Sequence, residues 1–324
     1  MNIAMIEAAA ERLRGHARVT PLLSSPFLDE IAGLRVLVKP ECLQHTGSFK
    51  YRGARSAVSA LAPEVRARGV IAYSSGNHAQ GVALAAREFG VPSVIIMPVD
   101  APRVKIDNTR ALGAEVVLYD RAGGEDRDAI GARISAERRL TLVKPFDDPQ
   151  VIAGQGTVGL EIAAQAAEEG VSEADVLVCC GGGGLTSGIA LALEARAPGL
   201  RARPVEPEGF DDTARSLAAG RIVRTDRPSG SLCDAILTPA PGDITFPIMQ
   251  RLCGAGVAVP DEDCLRAMSV AFQRLKIVAE PGGAVALAAA LWHGKSLRGR
   301  AVVVVVSGGN VDAAMFCEAL ARHA

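Results

Sequence analysis

The chain has 324 residues, with 35 lysines and arginines against 36 aspartates and glutamates, a formal net charge of −1. That balance supplies no electrostatic pull toward nucleic acid or an anionic membrane, so neither is expected as a partner. Hydrophobic residues at 49% and charged residues at 22% make a globular composition, and the length favours two lobes over one core.

The first fourteen residues carry two glutamates and a short alanine run, and read as a surface helix rather than a secretory signal. Short β-branched runs then alternate with alanine-rich amphipathic stretches. The predicted strands are 36–39, 70–73, 93–97, 115–119, 176–180, 202–206 and 301–306. The predicted helices are 48–61, 77–89, 104–112, 126–138, 154–169, 185–195 and 282–292. This alternation predicts an α/β fold with parallel-rich twisted sheets flanked by helices. The five valines 302–306 are the purest apolar run, as a buried parallel strand requires. Gly69, Gly90 and Gly113 each fall between a helix and the next strand, where glycine ends a helix. Residues 62–146 are expected to form a small βαβ domain, and 1–61 with 147–324 a discontinuous large one.

The run 176–193 is uncharged and long enough to touch a membrane span, but four glycines divide it into strand, turn and helix. The seven cysteines are odd in number and contain no C-x-x-C. They are expected to be reduced thiols of a cytoplasmic protein, not a disulfide framework or a zinc site.

Four constellations carry chemistry. In Thr46-Gly47-Ser48-Phe49-Lys50-Tyr51-Arg52-Gly53-Ala54, Ser48 can cap a helix on which Lys50 shares an apolar face with Ala54, Ala57, Val58 and Leu61. Arg52 and Arg55 point elsewhere. Burial of such an amine lowers its pKa and suits a Schiff-base lysine. A lysine that snorkels from a helix start fits the same pattern. Ser74-Ser75-Gly76-Asn77-His78-Ala79-Gln80-Gly81 follows a strand and opens a helix, an arrangement that binds a carboxylate or phosphate. An ordinary cap explains one of those polar residues but not four in a row.

Gly181-Gly182-Gly183-Gly184-Leu185 joins a strand to a helix and lets backbone N–H groups surround a phosphate. It fits neither G-x-G-x-x-G nor the P-loop, so the phosphate belongs to something other than NAD or ATP. Ser307-Gly308-Gly309-Asn310 ends the valine strand at the edge where α/β sheets bind ligands; taken alone, it is a strand-ending turn.

In this order the four motifs resemble the fold-type II pyridoxal-phosphate (PLP) enzymes, two-lobed and similar to the tryptophan synthase β chain. Within them the resemblance is to the threonine/serine dehydratase (ammonia-lyase) and serine racemase branch. It runs from about Thr20 to Asn310 and includes Ile152-Ala153-Gly154-Gln155-Gly156-Thr157. The resemblance implies that Lys50 holds PLP covalently and acts as the base at Cα, with Phe49 beside the ring and Asn77 on the ring hydroxyl. It implies that Gly181, Gly182, Gly183, Gly184 and Leu185 bind the phosphate and that Ser307 faces the pyridine nitrogen. Ser74, Ser75, Gly76, Asn77 and His78 would hold the substrate carboxylate, with Arg127 near the substrate.

The implied reaction is loss of water from a β-hydroxy amino acid (threonine, serine, 3-hydroxyaspartate or a related compound) to give a 2-oxo acid and ammonia. A racemase, for which Ser75 stands as the opposite acid/base, and a β-replacement synthase are the alternatives. The branch also implies a homodimer and a Mg²⁺ or Ca²⁺ site at Glu206, the Phe210 carbonyl and Asp212. Without the branch, that stretch reads as a solvated acidic turn. Cys233-Asp234-Ala235 and Gly282 depart from the branch's usual residues, which leaves the substrate-pocket wall open. The chain ends near Ala324, and no isoleucine-type feedback regulation is expected.

Overall fold

In the computed structural model the valine run lies at the heart of a six-stranded sheet. Every residue is described except Ser75, Pro102, Arg121, Ala122, Pro228 and Ala324, and the side chain of Val104. The strands are β1 (Leu23–Ser24), β2 (Arg35–Pro40), β3 (Val70–Tyr73), β4 (Ser93–Pro98), β5 (Glu115–Tyr119), β6 (Thr141–Leu142), β7 (Ala174–Cys179), β8 (Leu200–Pro207), β9 (Val257–Val259) and β10 (Ala301–Val306). The larger sheet has the order β1-β2-β10-β7-β8-β9 and the smaller one β5-β4-β3-β6. Only β1 and β2 pair antiparallel; the other ladders among the described residues are parallel. Every residue of β10 and β7 is buried, because helices cover both faces of a parallel sheet.

The helices are α1 (Ile3–Leu13), α2 (Pro26–Ala32), α3 (Lys50–Ala60), α4 (Pro63–Arg66), α5 (Asn77–Glu88), α6 (Arg103–Ala111), α7 (Arg127–Arg138), α8 (Pro149–Glu168), α9 (Gly184–Arg196), α10 (Asp212–Ala219), α11 (Thr245–Leu252), α12 (Asp261–Val270), α13 (Pro281–Trp292) and α14 (Ala313–Arg322). The alanine-rich α13 is buried from Pro281 to Leu291, as a helix apolar on every side must be. Helices α8 and α9 approach backbone to backbone: a Cβ on Gly188 would lie 2.6 Å from the Gly156 nitrogen.

The structure departs from the predicted elements in informative places. Ser48 does not cap α3. Its backbone is extended and bridges Gly308, its hydroxyl has no partner, and the Phe49 N–H donates to the Ser307 carbonyl at 3.1 Å. A pairing with a segment far along the chain has displaced the local cap. Arg52 and Arg55 do not reach solvent either. Both are buried, and Arg52 is clamped by Glu41 and Glu161 at 2.6–2.9 Å. Helix α8 starts at Pro149 rather than 154, because Asp148 accepts from the Gln150 and Val151 N–H groups and Pro149 suits the first turn. Helices α2, α4, α10, α11, α12 and α14 and strands β1, β6 and β9 go beyond the predicted elements. These strands are two or three residues long, too short to show a period.

Candidate active site

The C-terminal ends of β3, β4, β7 and β10 open on a cavity of about 780 Å³. Ligands bind at that end of parallel strands because the following loops and helix N-termini converge there. Among the predicted site residues, Phe49, Lys50, Ser74, Gly76, Asn77, His78, Arg127, Gly181, Gly182, Gly183, Gly184, Leu185 and Ser307 all line it. Ser75 lies outside the described residues. Glu206, Phe210 and Asp212 do not line this cavity.

Lys50 is the first residue of α3, and its Nζ donates to the Pro145 carbonyl at 2.9 Å. Removal from water lowers its pKa to about 8, opposed by the nearby Cys179 and Glu280. The ammonium has no carboxylate in contact, unlike the clamped Arg52 two residues on. Phe49 packs beside it, ring centroid 5.1 Å from Nζ.

Opposite stands the N-terminus of α9. Gly183 has φ +89°, and a Cβ there would lie 2.5 Å from Met249 Cε. A Cβ on Gly182 would lie 2.2 Å from the Phe146 ring, and one on Gly184 2.6 Å from Gln155 Oε1. The loop is held from behind, since Thr245 Oγ1 donates to the Gly182 carbonyl at 2.6 Å. Gln155 is fully buried at the cavity wall with both amide atoms unpartnered. Free N–H groups at a helix N-terminus beside an orphaned amide fit a phosphate-bearing ligand.

At the third wall, Asn77 Nδ2 donates to Glu280 Oε1 at 2.5 Å and Asn77 Oδ1 accepts from Asn310 at 2.7 Å. His78 is buried; its Nε2 donates to the Val143 carbonyl at 2.9 Å. Burial first, and then the charge of Lys50, push its pKa to about 3, so the ring is neutral. Only its backbone N–H and the unpartnered Nδ1 remain available to a ligand. Ser307 is 3% exposed, and its hydroxyl lies in reach of the Cys179 thiol, which burial raises to about 11. Arg127, half-exposed at the start of α7, lies 3.9 Å from Asp128.

Sequence reasoning gave no site role to Glu280, Phe146, Gln155 or the Lys105–Asp234 ion pair at 3.2 Å, all of which line the cavity. Nothing local in Glu280-Pro281 shows that the glutamate side chain turns into the cavity.

A profile described as "Pyridoxal-phosphate dependent enzyme" matches residues 13–308. The chain belongs to that family. The enzyme is 44% identical over 305 residues to an L-threo-3-hydroxyaspartate ammonia-lyase of Pseudomonas sp, covering 94% of this chain and 93% of the relative. It is 39% identical over 332 residues to a serine racemase of Oryza sativa subsp. indica, covering 99% and 94%. Its fold matches the crystal structure of a threonine deaminase from T.th. with a TM-score of 0.90 and 44% identity, over 96% of this chain and 99% of that one.

The acidic stretch has other work. Glu206 accepts the Thr213 and Ala214 N–H groups at 2.8 Å each and so caps α10 with both oxygens. Among the described residues, no group of three or more His, Cys, Asp or Glu side chains could hold a metal. Likewise, no described helix is long and apolar enough to cross a membrane, and all seven cysteines are free.

Proposed function

We propose that this enzyme deaminates a β-hydroxy amino acid by eliminating its β-hydroxyl as water, which hydrolysis then restores, giving a 2-oxo acid and ammonia. The observation that carries the reading is the meeting of the uncompensated Lys50 amine with the glycine cradle in one cavity. Bound there, pyridoxal phosphate supplies the electron sink for the negative charge that develops at Cα.

The chain's own residues do the rest. Lys50 holds the cofactor covalently and, once released, takes the Cα proton. The N–H groups of Gly181, Gly182, Gly183, Gly184 and Leu185 hold the phosphate. The free N–H of Asn77 binds the ring hydroxyl, Phe49 packs on the ring, and Ser307 hydrogen-bonds the pyridine nitrogen without giving it a full charge. Ser74, Ser75, Gly76, Asn77 and His78 hold the substrate carboxylate. Loss of water leaves an enamine, which hydrolyses to the 2-oxo acid and ammonia.

Lys105 and Arg127 line the same cavity, each beside a carboxylate that a second substrate carboxylate would displace. That supports 3-hydroxyaspartate alongside threonine and serine. Racemisation is the second reading, favoured by the similarity to a serine racemase; β-replacement ranks third. The test incubates the purified holoenzyme with L-serine, L-threonine and L-threo-3-hydroxyaspartate and measures 2-oxo acid, ammonia and D-isomer. Dominant D-isomer with little oxo acid overturns the lyase reading.

Three finer readings go with it. The lobes divide as 1–61 with 147–324 and 62–146. A Mg²⁺ or Ca²⁺ sits at Glu206, Asp212 and the Phe210 carbonyl, supported by two buried acids and the unpartnered Asp212 Oδ2. The enzyme is a homodimer, supported by the exposed Phe27, Ile31 and Phe272 side chains, with Arg274 stacked 4.5 Å over the Phe27 ring, and it is cytoplasmic.

A further inference from the structure

Glu280 has no role in the reading above, yet it is 3% exposed at the cavity wall. It precedes Pro281 at the head of α13, and its backbone carbonyl accepts from Gly283 and Ala284 at 2.9 Å, but its side chain caps nothing. It turns to Asn77 instead. The chain of amides behind Asn77 has a fixed direction. The Thr46 carbonyl can only accept, so the Asn310 atom at 2.8 Å from it is Nδ2. The same Nδ2 lies 2.7 Å from Asn77, which must therefore present its oxygen there and its nitrogen to Glu280. One N–H of Asn77 is left over. Gly308 makes the room, since a Cβ there would lie 2.1 Å from Glu280 Oε1.

We propose that Glu280 is a positioning residue of the cofactor pocket, holding the Asn77 amide with its spare N–H toward the cofactor ring and setting the charge beside Lys50. The inference rests on the proposed cofactor chemistry. The groups that face Glu280 are Lys50 on α3, Lys105 on α6, Asp234 before α11, Cys179 on β7 and Cys42 after β2. Burial first, and then Asp234, raise the carboxyl to about 7, against Asn77, Lys105 and Lys50. Above that pH its negative charge holds the Lys50 proton more firmly.

The test uses cofactor-free protein and pyridoxal phosphate. The pH dependence of the rate at which the visible absorbance band forms reports the neutral Lys50 amine, and titration reports affinity. In Glu280→Gln the rate midpoint moves down by about half a unit or more, because the charge never appears. Affinity stays near the wild type, because the Gln oxygen still accepts from Asn77. In Glu280→Ala affinity falls about tenfold as the amide loses its orientation. An unchanged midpoint in Glu280→Gln, or wild-type affinity in Glu280→Ala, overturns the inference while leaving the function intact. Absence of the band in the wild type overturns the function and this inference with it. If Glu280→Ala does not fold, the midpoint in Glu280→Gln decides alone.

Discussion

Lys50 and Arg52 stand two residues apart on one buried helix, yet their chemistry differs. Arg52 is neutralised by two carboxylates, whereas Lys50 has only a backbone carbonyl. A cation whose hydrogen-bond partner is a neutral carbonyl loses its proton easily in a desolvated site, and that is what a nucleophilic amine needs. Reconstitution of the cofactor-free protein should therefore accelerate with pH about a midpoint near 8 instead of 10.5, followed by stopped-flow absorbance. Lys50→Ala should lose the visible band and reduce oxo-acid formation by about a thousandfold, within the range general-base removal costs. Arg127→Ala should raise KM for 3-hydroxyaspartate about tenfold more than KM for serine, because only the former has a second carboxylate to lose. Lys50 was legible in the sequence, since a lone amine on an apolar face is a local pattern. Glu280 was not, because its direction depends on Asn77, which lies 203 residues earlier.

The tetraglycine loop and the α8–α9 contact show glycine used for space at the level of elements. In the loop each missing Cβ makes room for a different neighbour, and Gly183 adds a left-handed backbone. Gly182→Ala should weaken pyridoxal-phosphate binding by about tenfold or more in fluorescence titration, since the Phe146 ring must move. Gly188→Ala acts elsewhere, wedging α9 off the Gly156 backbone. It should cost about 1–3 kcal/mol in chemical denaturation, as overpacking of a tight core does. The sequence marked the loop because four consecutive glycines have no other use between a strand and a helix. It could not show what fills the space, and Phe146, Thr245 and Met249 come from distant segments.

Among the described residues, three acids are held above their ordinary range: Glu280 at about 7, Glu206 at about 8 and Asp212 at about 7, in each case through burial first. A raised acid contributes stability below its unfolded pKa, here 4.5 or 3.8, and loses it as pH rises through the folded value. The cofactor-free enzyme should therefore have a lower Tm at pH 8.5 than at pH 6 in scanning fluorimetry. The cation site proposed at Glu206 and Asp212 predicts that Ca²⁺ or Mg²⁺ raises Tm more at pH 8.5, because a hard cation favours ionised carboxylates, and that Glu206→Gln abolishes the difference. By itself the sequence determined the alternating α/β architecture and the buried valine strand, and it marked the glycine-rich turns and Lys50 as candidates, because each is written in periods and runs a few residues long. Only the tertiary structure decided that Ser48 pairs with Gly308 instead of capping, that Glu206 caps α10, that His78 is neutral and that Glu280 faces the site. Those outcomes depend on which distant groups share a desolvated space, and no local pattern encodes that.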